Sequence, residues 1–331
     1  MTARLAIVVV NYASAALLAE NLVRTVADVR PDLVVVVDNL SSQQERAAVR
    51  SLASSSGWTL VEPDANLGFG GGMNRGVSRA LEMGAEDLLL LNPDASITGD
   101  AVRVLQEQAA ESRLQALAPR ILDGAGRVWF EGADVYLSDG RTMGVRRRDR
   151  RPGEQRWEWL SGACMLIPAE LWRATGGFDE EYFLYWEDVD FSRRVIAAGG
   201  ALRVVLDATA VHDEGGTQGR APSERAKSEG YYYYNIRNRL MFAAKHLDEE
   251  GVRRWRRSAW ESAREVLLRG GRRQFLTPWR PLRAAYRGVR DGRRASITNR
   301  GSLPPRSPRP DGRRYSSKRD VTAVDDGQGE A

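Results

Sequence analysis

Short apolar runs alternate with amphipathic stretches along the first hundred residues. Residues 5–10 (LAIVVV) form a valine-rich run of strand length, and a helical spacing follows to about Val29. Residues 33–37 are a second such run, ending in Asp38-Asn39; a helix is expected over residues 43–53 and a short strand over 59–61. The glycine-rich stretch from Asn66 to Gly76 opens a helix reaching about Met83. Residues 88–91 make a fourth strand, closed by Asn92-Pro93-Asp94. Strands alternating with helices predict βαβ units and an α/β fold around a mostly parallel central sheet. Such sheets bind ligands beyond the carboxyl ends of their strands. Three polar clusters stand at those ends: Asn11-Tyr12, Asp38-Asn39, and Asn92 to Asp94. Each also suits a turn or a helix cap. Asp94 is in addition a hard oxygen ligand suited to Mg²⁺ or Mn²⁺ bridging a diphosphate.

Beyond the helix expected over residues 100–111 the pattern is less regular, with a strand at 115–118 and part of a hairpin over 127–136. Residues 138–156 are arginine-rich and poor in apolar side chains. They read as a mobile loop, either solvated or attracting an anionic acceptor. Buried-strand character returns over residues 157–168 and 201–206, the latter leading to His212 in a glycine-rich turn. The other histidine, His246, falls in a packing helix over residues 231–247. The run from Gly68 to Gly72 is followed by no Gly-Lys-Ser/Thr and lacks GxGxxG spacing. Its glycines point to close backbone approach, of helix to sheet or of loop to ligand.

Residues 176–194 (GGFDEEYFLYWEDVDFSRR) mix carboxylates with aromatics. From Glu187 the spacing turns helical and stops at Gly199-Gly200, so Glu187-Asp188 sits at a helix N-terminus. Simple capping explains acids there; so does an apolar-walled cleft holding a carboxylate for proton transfer.

Composition narrows the choices. Cys164 is the single cysteine, so an intrachain disulfide is excluded and a reducing compartment is the default. No apolar run approaches the roughly 18 residues of a membrane span, and the N-terminal run, interrupted at Asn11, reads as a strand rather than a signal peptide. A cytoplasmic, uncleaved protein is expected. The net charge of +5 hides an asymmetry: residues 251–294 hold about fourteen arginines against three acids, leaving the first 250 residues net acidic by about 8. From Val252 to Leu268 the apolar positions line one helical face and arginines the other, a candidate for docking on an anionic membrane surface or on the rest of the protein. The Ser-, Pro- and Arg-rich tail from residue 293 is expected to be disordered. A nucleic-acid-binding role for the basic C-terminus is disfavoured by the acidic first 250 residues.

Taken together, residues 8–12, 37–39, 66–76, 91–95, 159–168, 176–194 and His212 resemble the inverting glycosyltransferases of family 2, with the GT-A (Rossmann-like) fold, in their rhamnosyltransferase and galactofuranosyltransferase branch. The resemblance covers about residues 4–245. It implies a catalytic domain over residues 1–247, followed by a basic helical extension over 248–292 and the tail over 293–331. It implies a nucleoside diphosphate sugar donor, with dTDP-rhamnose favoured, a saccharide or lipid-linked saccharide acceptor in cell-surface polysaccharide synthesis, and a divalent metal. Tyr12 and Asp38 would hold the nucleobase and ribose. Asn11, Asn66, Gly68, Asn74 and Asn92 would line the nucleotide-sugar site. Asp94 and His212 would bind the metal, Asp188 would be the catalytic base, and Trp159 and Glu187 would border the acceptor. The usual Asp-x-Asp metal motif has Asn92 at its first position here, leaving fewer anionic ligands. A sugar nucleotidyltransferase of similar fold is the alternative. It would be expected to carry an early glycine-rich loop with basic residues, whereas the first strand here is followed by Asn11-Tyr12 and a loop with no lysine.

Overall fold

The valine-rich run becomes a strand with every residue buried, because helices cover both faces of the sheet it belongs to. The computed structural model describes residues 3–212, 227–271 and 279–298. Its first half runs β1 (Leu5–Asn11), α1 (Ala15–Leu17), a π-helical segment (Leu18–Leu22), α2 (Val23–Val29), β2 (Leu33–Asp38), α3 (Gln43–Ser56), β3 (Thr59–Val61), α4 (Gly68–Glu82), β4 (Asp87–Leu91), β5 (Ala95–Ile97) and α5 (Gly99–Glu111). There follow β6 (Gln115–Leu122), β7 (Val128–Phe130), β8 (Ala133–Tyr136), β9 (Thr142–Gly144), β10 (Arg156–Trp159), β11 (Cys164–Pro168), α6 (Ala169–Thr175), α7 (Glu187–Ala197) and β12 (Ala201–His212). Four helices close the described chain: α8 (Glu229–His246), α9 (Glu249–Arg257), α10 (Ala259–Leu268) and α11 (Trp279–Thr298).

The main sheet has the order β3-β2-β1-β4-β11-β6-β12-β5, with β7 beside β6. The pairs β1–β2, β1–β4, β2–β3 and β6–β12 are parallel, while β11, β5 and β7 pair antiparallel with their neighbours. The α/β fold around a central sheet is therefore observed, but the sheet is mixed rather than mostly parallel: its parallel half is β3-β2-β1-β4, and β11, β5 and β7 add antiparallel pairs. A second sheet, β10-β8-β9, lies apart from it. The stretch over residues 157–168, expected to be strand throughout, is split by a turn between β10 in the small sheet and β11 in the large one. The glycines of α4 serve helix-to-sheet approach: a Cβ on Gly76 would lie 2.5 Å from Val8 Cγ1 and 2.8 Å from Val37 Cγ2.

A second apolar core joins α8–α11 to the loop and helix around Tyr182, Trp186 and Val189, with Trp255 fully buried in it. Three expectations change here. The helix expected from Val252 to Leu268 breaks at Ser258, whose Oγ accepts from Arg239 Nη2 at 2.8 Å. Its apolar face (Val252, Trp255, Ala259, Ala263, Val266) is buried within this core, so that face is not free for a lipid surface. The chain is also helical to Thr298, past the start of the expected disordered tail; residues 299–331 lie outside the described residues.

The arginine-rich stretch 138–156 is not a free loop either. Arg148 holds the buried Asp134 through two 2.7 Å bonds, Arg151 reaches Asp139 at 2.6 Å, and Arg146 pairs with Glu131. Its arginines neutralise neighbouring acids, so the segment folds as β9 and a 3-10 turn (Val145–Arg150).

Candidate active site

Parallel register brings the strand-end clusters together. Asn11 is level with Asp38, and Asn39 N–H donates to Asn11 O at 2.9 Å. Asp38 is fully buried. Its carboxylate accepts from Arg46 Nε at 2.7 Å and from Asn11 Nδ2 at 3.1 Å. The structure thus gives Asp38 and Asn11 to each other and to Arg46, while Tyr12 stands 54% exposed at the rim. Asn39 Nδ2 donates to Asn66 Oδ1 (2.9 Å) and to Gly68 O (2.8 Å), and Asn66 Oδ1 also accepts from Gly68 N–H (2.8 Å). Asn74 stitches α4 to the next segment, donating to Phe178 O at 2.8 Å and accepting from its N–H at 2.9 Å. Asn11, Asn66 and Asn74, expected to line the nucleotide, are thus held by hydrogen bonds to neighbouring side chains and backbone.

His212 comes to Asp94 through strand pairing. β12 runs to His212, six residues beyond the expected strand end, and pairs with β5 so that His212 is level with Ala95. His212 Nε2 lies 3.0 Å from Asp94 Oδ1. Trp129 packs on the imidazole, ring centroids 4.5 Å apart, and the buried Nδ1 has no hydrogen-bond partner among the described residues. The stretch of chain after His212, expected as a glycine-rich turn, lies outside the described residues.

Asp188 is tied to the Asn92 turn from another direction. Asn92 N–H donates to Ala163 O at 2.9 Å, and the adjacent Gly162 N–H donates to Asp188 Oδ2 at 3.2 Å. Leu160 N–H bonds Ser192 Oγ (3.1 Å), and that hydroxyl donates to Asp188 O (2.7 Å), so the β10–β11 turn clasps the first turn of α7. Burial raises the Asp188 carboxyl to about 6, against the Gly162 and Val189 N–H groups that pull the other way. Glu187, expected on the acceptor side, is instead buried, its Cβ 3.7 Å from where a Cβ on Gly70 would stand, with Oε2 unpartnered. Burial, and then the Asp188 charge, push Glu187 well above the carboxylate range. Adjacent acids are thereby driven apart, with Glu187 held further toward its protonated form than Asp188, the polarisation that acid–base sites use.

The backbone leading into α7 is strained. Phe183, Tyr185 and Trp186 all have positive φ (63°, 65° and 76°), costly for aromatic residues. Two contacts hold them. Phe69 N–H donates to Phe183 O at 2.7 Å; this needs glycine at the neighbouring Gly68 (φ 75°), where a Cβ would fall 2.2 Å from Phe183 O. Asn238 of α8, fully buried, points Nδ2 at three carbonyls, those of Tyr182 (2.8 Å), Leu184 (2.9 Å) and Tyr185 (2.8 Å). No sequence pattern singles out Asn238, Arg46 or Gly162; their importance comes from contacts across about 54, 8 and 26 positions of chain.

Further into α7, Asp190 is also buried, 2.6 Å from His246 Nε2 and 2.7 Å from Arg194 Nε. His246 is thus structural, as expected. Burial works against the Asp190 carboxylate, yet His246 and Arg194 hold it below the usual range. It therefore stabilises the fold above about pH 4, and that stabilisation is lost as pH falls through the lowered value. Asp190→Asn is expected to cost about 2 kcal/mol in urea unfolding at neutral pH, the gap to wild type closing in acid.

Trp159 ends β10, its ring 5.5 Å from Phe130, and both line a cavity of about 350 Å³ with Trp129, Met143 and Arg147. One wall of this cavity is therefore the ring that covers His212. Another lies three residues from the Gly162 N–H that holds Asp188.

Residues 3–272 match the family profile described as glycosyltransferase-like family 2. Among curated proteins, the chain is 29% identical to the N-acetylglucosaminyl-diphospho-decaprenol L-rhamnosyltransferase of Mycobacterium tuberculosis, across 67% of this chain and 80% of that protein. It is 28% identical to the galactofuranosyltransferase GlfT1 of the same organism, across 78% and 89%. Among solved structures, the mannosyltransferase PcManGT of Pyrobaculum calidifontis, in complex with GDP-Man and Mn²⁺, superposes with a TM-score of 0.51 at 15% identity, covering 91% of this chain and 87% of that one. S. aureus TarS 1–349 does so with 0.50 at 17% identity, covering 90% and 89%. The chain belongs to glycosyltransferase-like family 2 and is a glycosyltransferase of the GT-A fold, with rhamnosyl- and galactofuranosyltransferases among its relatives.

Proposed function

We propose that the protein transfers L-rhamnose from dTDP-rhamnose, with inversion, to a lipid-linked saccharide in cell-surface polysaccharide synthesis, at the cytoplasmic face of a membrane. What supports the chemistry is the pairing of Asp94 with His212 and the pair of hydrogen bonds that ties Asp188, through Gly162 and Ala163, to the Asn92 turn. The rhamnosyltransferase relative, whose name specifies a diphospho-decaprenol acceptor, supports the choice of sugar and acceptor class.

The ionised Asp188 takes the proton of an acceptor hydroxyl. That oxygen forms its bond to the anomeric carbon on the face opposite the donor phosphate, and the carbon–oxygen bond to the nucleoside diphosphate breaks. The sugar passes through a state with oxocarbenium character, as in glycoside chemistry generally. The aromatic cavity beside Trp159 and Trp129 would seat the acceptor sugar and keep water away from the proton transfer.

Asp94 and His212 fit a divalent cation: an oxygen and an imidazole nitrogen 3.0 Å apart are donors that Mn²⁺ or Mg²⁺ accepts, and Mn²⁺ is present in the PcManGT complex. Among the described residues no group of three or more His, Cys, Asp or Glu side chains could hold a metal, so the diphosphate would complete the ligand set. The cation, when bound, supplies Lewis-acid stabilisation of the leaving diphosphate. Asn11, Asp38, Asn66, Gly68, Asn74 and Asn92 shape the nucleotide side, with Tyr12 open to stack on the base.

Incubation with Mn²⁺ and a panel of dTDP-rhamnose, UDP-galactofuranose, UDP-N-acetylglucosamine and GDP-mannose tests this. The dTDP sugar is expected to be hydrolysed slowly and, at a hundredfold excess over its Kd, to stabilise the fold by about 2.7 kcal/mol. A response to a UDP sugar alone would remove rhamnose from the assignment, and no response to any would remove the donor site.

A further inference from the structure

The buried stripe of α9 and α10 leaves their other face outward, and α11 adds to it. α11 seats Ala284, Ala285, Val289 and Ser296 inward, with Gly288 and Gly292 against α8. On its opposite side stand Trp279 (81% exposed), Leu282 and Tyr286 (56%). On α10, Trp260 and Leu268 (55%) are exposed, eight positions apart with the exposed Arg264 midway. The Trp260 and Tyr286 rings lie 6.1 Å apart, which joins the two helices into one face. Among the described residues, the three most exposed large apolar side chains, Trp279, Tyr286 and Leu268, all belong to it.

Arginines are interleaved with these groups. Arg264 and Arg283 are exposed and have no carboxylate partner among the described residues. Arg280 is only loosely paired, 3.8 Å from Glu229, and Arg287 lies over the Tyr233 ring. An aromatic and leucine face edged by guanidinium groups, two of them without a carboxylate partner among the described residues, matches the boundary of an anionic bilayer, where rings sit at headgroup level and arginines meet lipid phosphates. No helix among the described residues is long and apolar enough to cross a membrane, so this face would lie on the surface.

We infer that the outer face of α10 and α11 docks the enzyme on an anionic lipid surface. The charge argues against a second copy as the occupant, because a symmetric contact would bring the same arginines face to face. Leu268 and Leu282 have no partner on a nucleic-acid backbone. The inference rests on the membrane location in the proposed function and names the face that would provide it; its test uses neither donor nor acceptor, so either can fail alone.

The test is co-sedimentation of the full chain with vesicles of phosphatidylcholine, with and without phosphatidylglycerol, over a salt series. Binding is expected to the anionic vesicles only and to weaken with salt. Arg264→Ala with Arg283→Ala should weaken it about 25-fold, near fivefold for each arginine. Trp279→Ser with Tyr286→Ser should abolish it, with thermal unfolding unchanged because both side chains are exposed. Equal binding to neutral vesicles, wild-type binding by both double variants, concentration-dependent dimerisation through this face without vesicle binding, or tighter binding to duplex DNA than to anionic vesicles would each overturn the inference.

Discussion

Asp188→Asn is expected to lower glycosyl transfer by about 10²–10⁴ while the protein remains folded and still binds donor. The asparagine keeps the shape and can still accept from Gly162 N–H, but it cannot take a proton. In the wild-type enzyme the rate should fall on the acid side around pH 6, because burial has raised Asp188 to about 6 and only its ionised form is a base. An exposed aspartate would place that limb near about pH 4. The same shift sets a stability signature. The unfolded chain releases this proton at about pH 4 and the folded chain only at about 6, so the carboxylate costs folded stability as pH rises through that window. Asp188→Asn should therefore unfold at the same temperature as wild type or higher at pH 8, while being nearly inactive. Turnover close to wild type in the variant would remove Asp188 from the mechanism; a lower unfolding temperature at pH 8 would show that the side chain is chiefly structural.

Asn238→Ala is expected to damage the same centre from behind. Its amide holds the carbonyls of Tyr182, Leu184 and Tyr185, in a segment with three aromatic residues at positive φ just before Glu187-Asp188. Without those donors the carbonyls must find water and the strained turn can relax, at a cost of about 3 kcal/mol in urea unfolding. Asn238→Asp should be worse, because it sets a carboxylate oxygen against carbonyl oxygens. Because α7 begins at this turn, kcat should fall further than the donor KM rises. A variant that loses stability but keeps kcat would show that the turn is held mainly by Phe69 and Gly68.

Much of the fold was legible because the signals are local. The apolar runs over residues 5–10 and 33–37 are too short and too β-branched for helices, and each ends in polar residues at its carboxyl end, so β1 and β2 with their site-facing tips could be read directly. The Gly199-Gly200 stop marked the end of α7 for the same reason. The arginine-rich stretch 138–156 looks like a free loop in sequence because three of its acidic partners, Asp134, Glu131 and Glu158, lie outside it, and a charge counted along the chain carries no record of what faces it across a sheet. Glu187 and Asp188 are likewise indistinguishable as neighbours in sequence. Only packing against α4 buries one and leaves the other at Gly162.

By itself, the order of residues determined an α/β sheet with polar strand ends, a helix beginning at Glu187 and a basic amphipathic C-terminal part, because hydrophobic period and helix punctuation depend on nearest neighbours. Tertiary structure decided which of those polar groups meet, that Asp94 faces His212 through the β5–β12 pairing, that Asn238 props the turn before Asp188, and that the stripe from Val252 is buried while its opposite face stays open. Those outcomes depend on register and packing between segments far apart in the chain, where burial and charge are set by the partner rather than by the residue.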